Sequence, residues 1–134
     1  MTTTPPPDRP VIRLTGVTRD CADAKELAQF YGTLLGWAVP ADHEERWIPL
    51  SNPSGDIALL FQAEAWYQPP VWPEQPGELT KMLHFEIGVE DMEAAVAYAV
   101  AVGARVAPHQ PPDRDPTLLR VMLDPAGHPF CLYI

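Results

Sequence analysis

The chain has 134 residues, 46% of them hydrophobic, and a formal net charge of −9 with only 9 Lys+Arg. That length suits one domain able to bury roughly two thirds of its unfolded surface, and no apolar run approaches the roughly 18 residues a membrane span needs. The acidity disfavours nucleic acid, whose binding needs basic groups to displace condensed counterions. Cys21 and Cys131 make no disulfide framework. A cytoplasmic chain is expected.

Residues 1–10 have neither the basic nor the apolar region of a signal peptide and read as a disordered tail. Val11–Thr18, rich in β-branched residues, predicts the first strand. Asp23 and Glu26 have capping-box spacing. Leu27, Phe30, Tyr31, Leu34 and Leu35 recur on one helical face, and Gly36 supplies its stop. Trp37–Val39 and Arg46–Leu50 read as short strands. Asn52-Pro53-Ser54-Gly55 suits a type I turn leading into a strand over Asp56–Gln62. Residues 63–80, rich in Pro and Trp, form a loop whose length suggests function or mobility. The 17 prolines cluster there, in the tail and in Pro108–Pro116.

The second half opens on Lys81–Val89, where Leu83, Phe85, Ile87 and Val89 alternate with Met82, His84, Glu86 and Gly88. Period-two alternation puts His84 and Glu86 on the face opposite the apolar set. Asp91 caps a second helix with Ala95, Tyr98, Ala99 and Val102 on its buried face, ended by Gly103. Strands over Ala104–Val106, Thr117–Leu123 and Pro129–Ile134 follow. The last is preceded by Asp124-Pro125-Ala126-Gly127, an echo of the turn at Asn52.

That echo makes the chain a repeat. Asp23 and Asp91 stand 68 residues apart, and the turn glycines Gly55 and Gly127 stand 72 apart. The fold class is therefore α+β: a single domain over 11–134 built of two βαβββ modules, about 11–62 and 81–134, joined by the loop 63–80.

The candidate functional residues follow from this arrangement. His84 beside Glu86 on the polar face of a strand suits pocket lining or acid/base work. Trp47, Trp66 and Trp72 offer faces for a flat or cationic ligand. Cys131 and Cys21 read as small packed hydrophobes. His128, after a turn glycine, is expected in solvent, and His43 and His109 lie in loops with no partner pattern. No P-loop, dinucleotide fingerprint, zinc pattern or Ser-His-Asp arrangement is visible.

Taken in order, Asp20-Cys-Ala-Asp23, Phe30-Tyr-Gly-Thr-Leu-Leu-Gly-Trp37, Leu83-His-Phe-Glu-Ile87 and Asp124-Pro-Ala-Gly-His-Pro-Phe-Cys-Leu132 resemble the glyoxalase/bleomycin-resistance/dioxygenase (vicinal oxygen chelate) superfamily. The likeness, above all to its glyoxalase-like bacterial branch, covers about residues 11–134. It implies sheets curled round a cleft and commonly a homodimer. In metal-using members it also implies four cleft-facing side chains that hold a divalent Lewis acid. Carried onto this chain, the four positions are Gly16, Leu59, His84 and Cys131. Gly16 and Leu59 have no donor atom, so the metal site reads as degenerate and no cofactor is expected.

Three functions stay open at this point. One is a binding or sequestration protein for an aromatic or cationic compound, using Trp47, Leu59, Trp66, Trp72, His84, Glu86 and Cys131. Another is a lyase, isomerase or dioxygenase of the same superfamily, metal-dependent or with His84 and Glu86 as acid and base. The third is an interaction module whose cleft is closed by packing.

Overall fold

Two aspartates start the helices. The Asp23 side chain accepts a hydrogen bond from the Glu26 amide at 3.0 Å and opens α1, Ala24–Leu35; Asp91 accepts from the Ala94 amide at 3.1 Å and opens α2, Met92–Ala101. Helix α1 ends where Gly36 adopts φ 73°, a left-handed conformation that costs glycine no steric clash. The computed structural model describes residues 9–134, so the tail expected at 1–10 lies outside the described residues up to position 8.

The strands form two sheets. In the first, β1 (Gly16–Cys21) pairs in parallel with β3 (Ala58–Ala63), which pairs antiparallel with β2 (Trp47–Leu50). In the second, β4 (Glu86–Gly88) pairs in parallel with β7 (Pro129–Tyr133), followed by β6 (Leu119–Leu123) and β5 (Arg105–Val106). This is the expected α+β architecture, mixed sheets with one helix per module. The repeat extends to its turns: the Gly55 amide bonds the Asn52 carbonyl at 2.9 Å, and the Gly127 amide bonds the Asp124 carbonyl at 2.8 Å.

Several boundaries move. Val11, Ile12 and Leu14 are exposed and outside the ladder, because β3 offers a partner only from Ala58, opposite Gly16. Trp37–Val39 packs on the core without strand pairing; Pro40 follows it, with no N–H to give a ladder. At Lys81–Leu83 the chain turns back on itself: Met82 takes φ 53° and the Leu83 amide bonds the Lys81 carbonyl. The second module's first strand is shortened accordingly. On α2, Ala99 is fully buried, but Tyr98 is half exposed and its hydroxyl donates to the Thr33 carbonyl at 3.4 Å. Tyr98 thus ties the two helices at the surface and is not a core residue.

The core lies between the modules. Tyr31 of α1 stacks on Phe61 of β3 at 5.5 Å and meets Phe85 and Phe130 of the second module edge-on at 5.2 and 5.9 Å. Edge-on and stacked aromatic pairs add to the gain from apolar burial. No helix among the described residues is long and apolar enough to cross a membrane.

Candidate functional site

Strand β4 and the two residues that lead into it set the geometry. His84 and Glu86 stand two residues apart on one face, with His84 Nε2 at 2.8 Å from Glu86 Oε1. The parallel register places Cys131 directly opposite Glu86. The three side chains offer a nitrogen, an oxygen and a sulfur within 4.8 Å of one another. Cys131 is 7% exposed; burial and, secondarily, the Glu86 carboxylate push its thiol pKa up. The thiol is therefore a poor nucleophile at neutral pH. Cys21, fully buried, is pushed up to about 11, mainly by burial.

Trp72 covers this face. Its ring packs with Cys131, Val121 and Ala107, while its indole N–H donates to the His109 carbonyl at 3.0 Å. Lys81 Nζ lies 4.7 Å from the Trp72 ring centroid and 2.9 Å from the Glu74 carboxylate. A cavity of about 320 Å³ is lined by Trp72, Leu119, Val121, His84, Glu86 and Cys131, with Lys81 and Arg114 in its wall. A neighbouring cavity of about 450 Å³ takes Leu59, Leu35 and Trp37 as walls and shares His84 and Glu86. The His84–Glu86 pair thus stands between two openings. It is also partly exposed, which makes it a weak contributor to stability.

Two of the expected ligand-binding residues lie elsewhere. Trp66 is 94% exposed and borders a different cavity. Trp47 pairs with Gln62 in the first sheet and lines none of the cavities around His84. His128 is a clear correction. It is buried, not in solvent, with its Nδ1–H donating to the Pro129 carbonyl at 2.9 Å.

Register also decides the metal question. Glu86 pairs with Cys131, and the residue 68 positions before Glu86 is Thr18, which pairs with Leu60. The counterpart of Cys131 is therefore Leu60, one residue beyond Leu59, and a one-residue slip moves a side chain to the other face. Leu60 also explains Gly16: a Cβ there would lie 2.5 Å from Leu60 Cδ1. The first-module half of a four-ligand centre is thus filled by a leucine methyl group, and the family-type set does not fit. His84, Glu86 and Cys131 alone make a three-donor set. It suits a borderline-soft ion such as zinc with an open position, and does not suit a hard ion that needs six oxygens.

A glyoxalase-like domain model matches residues 16–133. The chain belongs to the glyoxalase-like domain family. Solved structures share its fold. A glyoxalase/bleomycin resistance protein/dioxygenase family enzyme from Burkholderia phytofirmans PsJN is 21% identical, with 90% of this chain and 97% of that one covered at a TM-score of 0.62. A glyoxalase family protein from Enterococcus faecalis is 22% identical, with 91% and 97% covered at 0.63. TnmS3, an antibiotic binding protein from Streptomyces sp. CB03234, is 18% identical, with 94% and 98% covered at 0.58. No curated protein matches the sequence.

One cluster in this glyoxalase-like domain was not legible in the sequence. Arg19 Nη1 lies 3.2 Å from Asp124 Oδ2, which also accepts from the Tyr31 hydroxyl at 2.7 Å. The signal available was a single arginine on the inward face of a strand, between Val17 and Cys21. The histidine beside this cluster has a lowered pKa: burial and the Arg19 charge both disfavour imidazolium at His128, against the opposing Pro129 hydrogen bond and Asp124. Unfolded histidine titrates near 6.5. Below that pH the unfolded chain takes up a proton that folded His128 does not, so stability is fully present above about 6.5 and falls as pH drops toward the folded pKa. Urea midpoints between about pH 8 and pH 5 should show this fall, and His128→Gln should flatten it. An identical slope in the variant would assign the effect to other groups.

Proposed function

We propose that this glyoxalase-like protein binds a flat aromatic organic compound, in the manner of a sequestration protein, in the cavity under Trp72. The observation that carries the reading is the Trp72 indole in the wall of the cavity that His84, Glu86 and Cys131 also line. It supplies an apolar wall facing a polar pair, the combination that small-molecule sites use. The antibiotic-binding activity of a protein with the same fold supports it. Because Lys81 already occupies the neighbourhood of the Trp72 ring, a neutral aromatic suits the remaining space better than a cation does. Leu59, on the far side of His84, widens the same region. A cytoplasmic homodimer is the proposed working form.

Calorimetric titration with bleomycin, 1-naphthol and benzyltrimethylammonium tests this. Saturable binding of an aromatic probe that weakens in His84→Ala is the expected result; no saturable binding by any of the three would sink the proposal.

A second reading rests on the convergence of His84, Glu86 and Cys131. Zinc held there would supply Lewis-acid polarisation of a bound oxygen, as a lyase or isomerase requires. In that case Co²⁺ titration gives a thiolate charge-transfer band that Cys131→Ser removes. The absence of any such band leaves the binding reading alone.

A further inference from the structure

Two loops meet at the cavity that Trp72 lines. The connecting loop brings Trp72, and residues 107–118 bring Pro111, Asp113 and Arg114. They touch where the Trp72 indole N–H donates to the His109 carbonyl at 3.0 Å, with the His109 ring edge-on to the indole at 5.8 Å. Where that carbonyl sits therefore bears on where the indole sits.

Residues 108–118 have few ties of their own to the sheet. Pro108, Pro111, Pro112 and Pro116 carry no N–H to give. The Arg114 amide bonds the Pro111 carbonyl, and Asp115 accepts from both the amide and the hydroxyl of Thr117, all within the segment. At its far end the Leu118 carbonyl accepts from the Ile134 amide at 3.0 Å.

Gln110 supplies the tie at the near end. Strand β5 stops at Val106, and the Ala107 amide extends the ladder with a bond to the Val121 carbonyl at 3.0 Å. The reciprocal bond is bridged by a side chain. The Val121 amide donates to Gln110 Oε1 at 2.8 Å, and Gln110 Nε2 donates to the Ala107 carbonyl at 2.9 Å and the Val121 carbonyl at 2.8 Å. Both donors of the primary amide and its acceptor are thus engaged. Two carbonyls facing Nε2 and an N–H facing Oε1 also fix which end is nitrogen. Gln110 is a wedge between Ala107 and Val121, which are both buried and pack with Cys131 and Trp72. Backbone groups buried there are costly to leave unpaired, so the wedge holds its place.

We propose that Gln110 is a positioning residue for aromatic binding in this cavity, a role that rests on the binding reading above. Gln110 does not line the cavity. It fixes the neighbouring His109 carbonyl, the start of the wall at Pro111, and Val121 in one arrangement. Removing the indole N–H alone leaves that wall pinned, whereas removing Gln110 frees the wall and the acceptor of the indole together.

Gln110→Met keeps the length of the side chain and loses all three hydrogen bonds. In the full chain, the Trp72 indole N–H and the Val121 amide should lose hydrogen-exchange protection about tenfold or more, while the Cys131 amide, bonded to the Phe85 carbonyl, keeps its own. Calorimetric affinity for 1-naphthol should fall about tenfold or more, and further than in Trp72→Phe. A glutamine that only stabilised the fold would lower the urea midpoint and leave the indole and the affinity unchanged, a result that overturns the proposal. Should Gln110→Met fail to fold, Gln110→Asn is measured in the same way: its amide is one methylene too short to bridge Ala107 and Val121, and unchanged values there overturn the proposal equally. If the unaltered chain binds no aromatic probe, the binding reading fails and takes this role with it; if it binds and the variant binds as well, this role alone fails.

Discussion

Replacing Asp124 by alanine is expected to cost about 3–5 kcal/mol of folding stability, the range for removing one partner of a buried ion pair. Asp124 and Arg19 are shielded almost completely, with side-chain exposures of 0% and 4%. Their attraction offsets a large desolvation cost only while both are present. Without the carboxylate, Arg19 becomes an uncompensated buried cation. The Tyr31 hydroxyl, fully buried and held un-ionised by burial and by Asp124, loses its acceptor as well. The position also spans the fold. Arg19 belongs to β1 and Tyr31 to α1 of the first module, whereas Asp124 sits in the β6–β7 turn of the second. Urea denaturation should show the loss. Asp124→Asn should recover part of it, because an amide oxygen still accepts from the Ala126 and His128 amides. A loss under about 1 kcal/mol in Asp124→Ala would mean that water replaces the carboxylate and that the pair is not a structural tie.

How much of this was legible follows from which residues are determined locally. Asp23 and Asp91 announce their helices because an N-cap needs only its own first turn. Asn52-Pro53 and Asp124-Pro125 announce their turns for the same reason. His84 and Glu86 could be set on one face by counting in twos. Register between strands was harder. Leu59 and Leu60 are indistinguishable to a repeat offset that drifts from 68 to 72, and only the pairing of Thr18 with Leu60 picks the second. The reading of His128 as a solvent residue failed on tertiary grounds: a turn position predicts exposure until another element packs on it, here the Arg19 side of β1. The pairing of Arg19 with Asp124 could not be seen at all, because it joins the first strand to a turn 105 residues away.

The repeat is also unequal, and the inequality bears on function. In the first module the cleft-facing positions are Gly16, Thr18 and Leu60, closed by a leucine methyl against a glycine. The equivalent positions in the second are His84, Glu86 and Cys131, left open beneath an indole. Polar side chains that no stability argument requires line two cavities beside β4. A chain selected only for packing would have little reason to keep His84 and Glu86 paired and partly exposed at the start of a strand.

Trp72→Ala should therefore separate function from fold. The indole is only partly buried, so its removal should cost less than a fully buried tryptophan would, about 2 kcal/mol. Its effect on the connecting loop should be larger. Trp72 anchors residues 63–80 through the His109 hydrogen bond, the contact with Lys81 and the packing on Val121 and Cys131. The Val71 amide bonds the Leu79 carbonyl at 2.9 Å and closes the loop on itself. Hydrogen exchange should show the Val71 amide losing protection in the variant, with amides of β6 and β7 unchanged. Binding of an aromatic probe under the indole should weaken at least tenfold, since both the stacking face and one wall of the cavity are gone. Trp72→Phe keeps a ring and loses the N–H, so it should recover most of the affinity while leaving the loop partly released. If Trp72→Ala instead frees the loop and leaves aromatic binding untouched, Trp72 is a clasp for its own loop and the ligand site lies on the Leu59 side of His84.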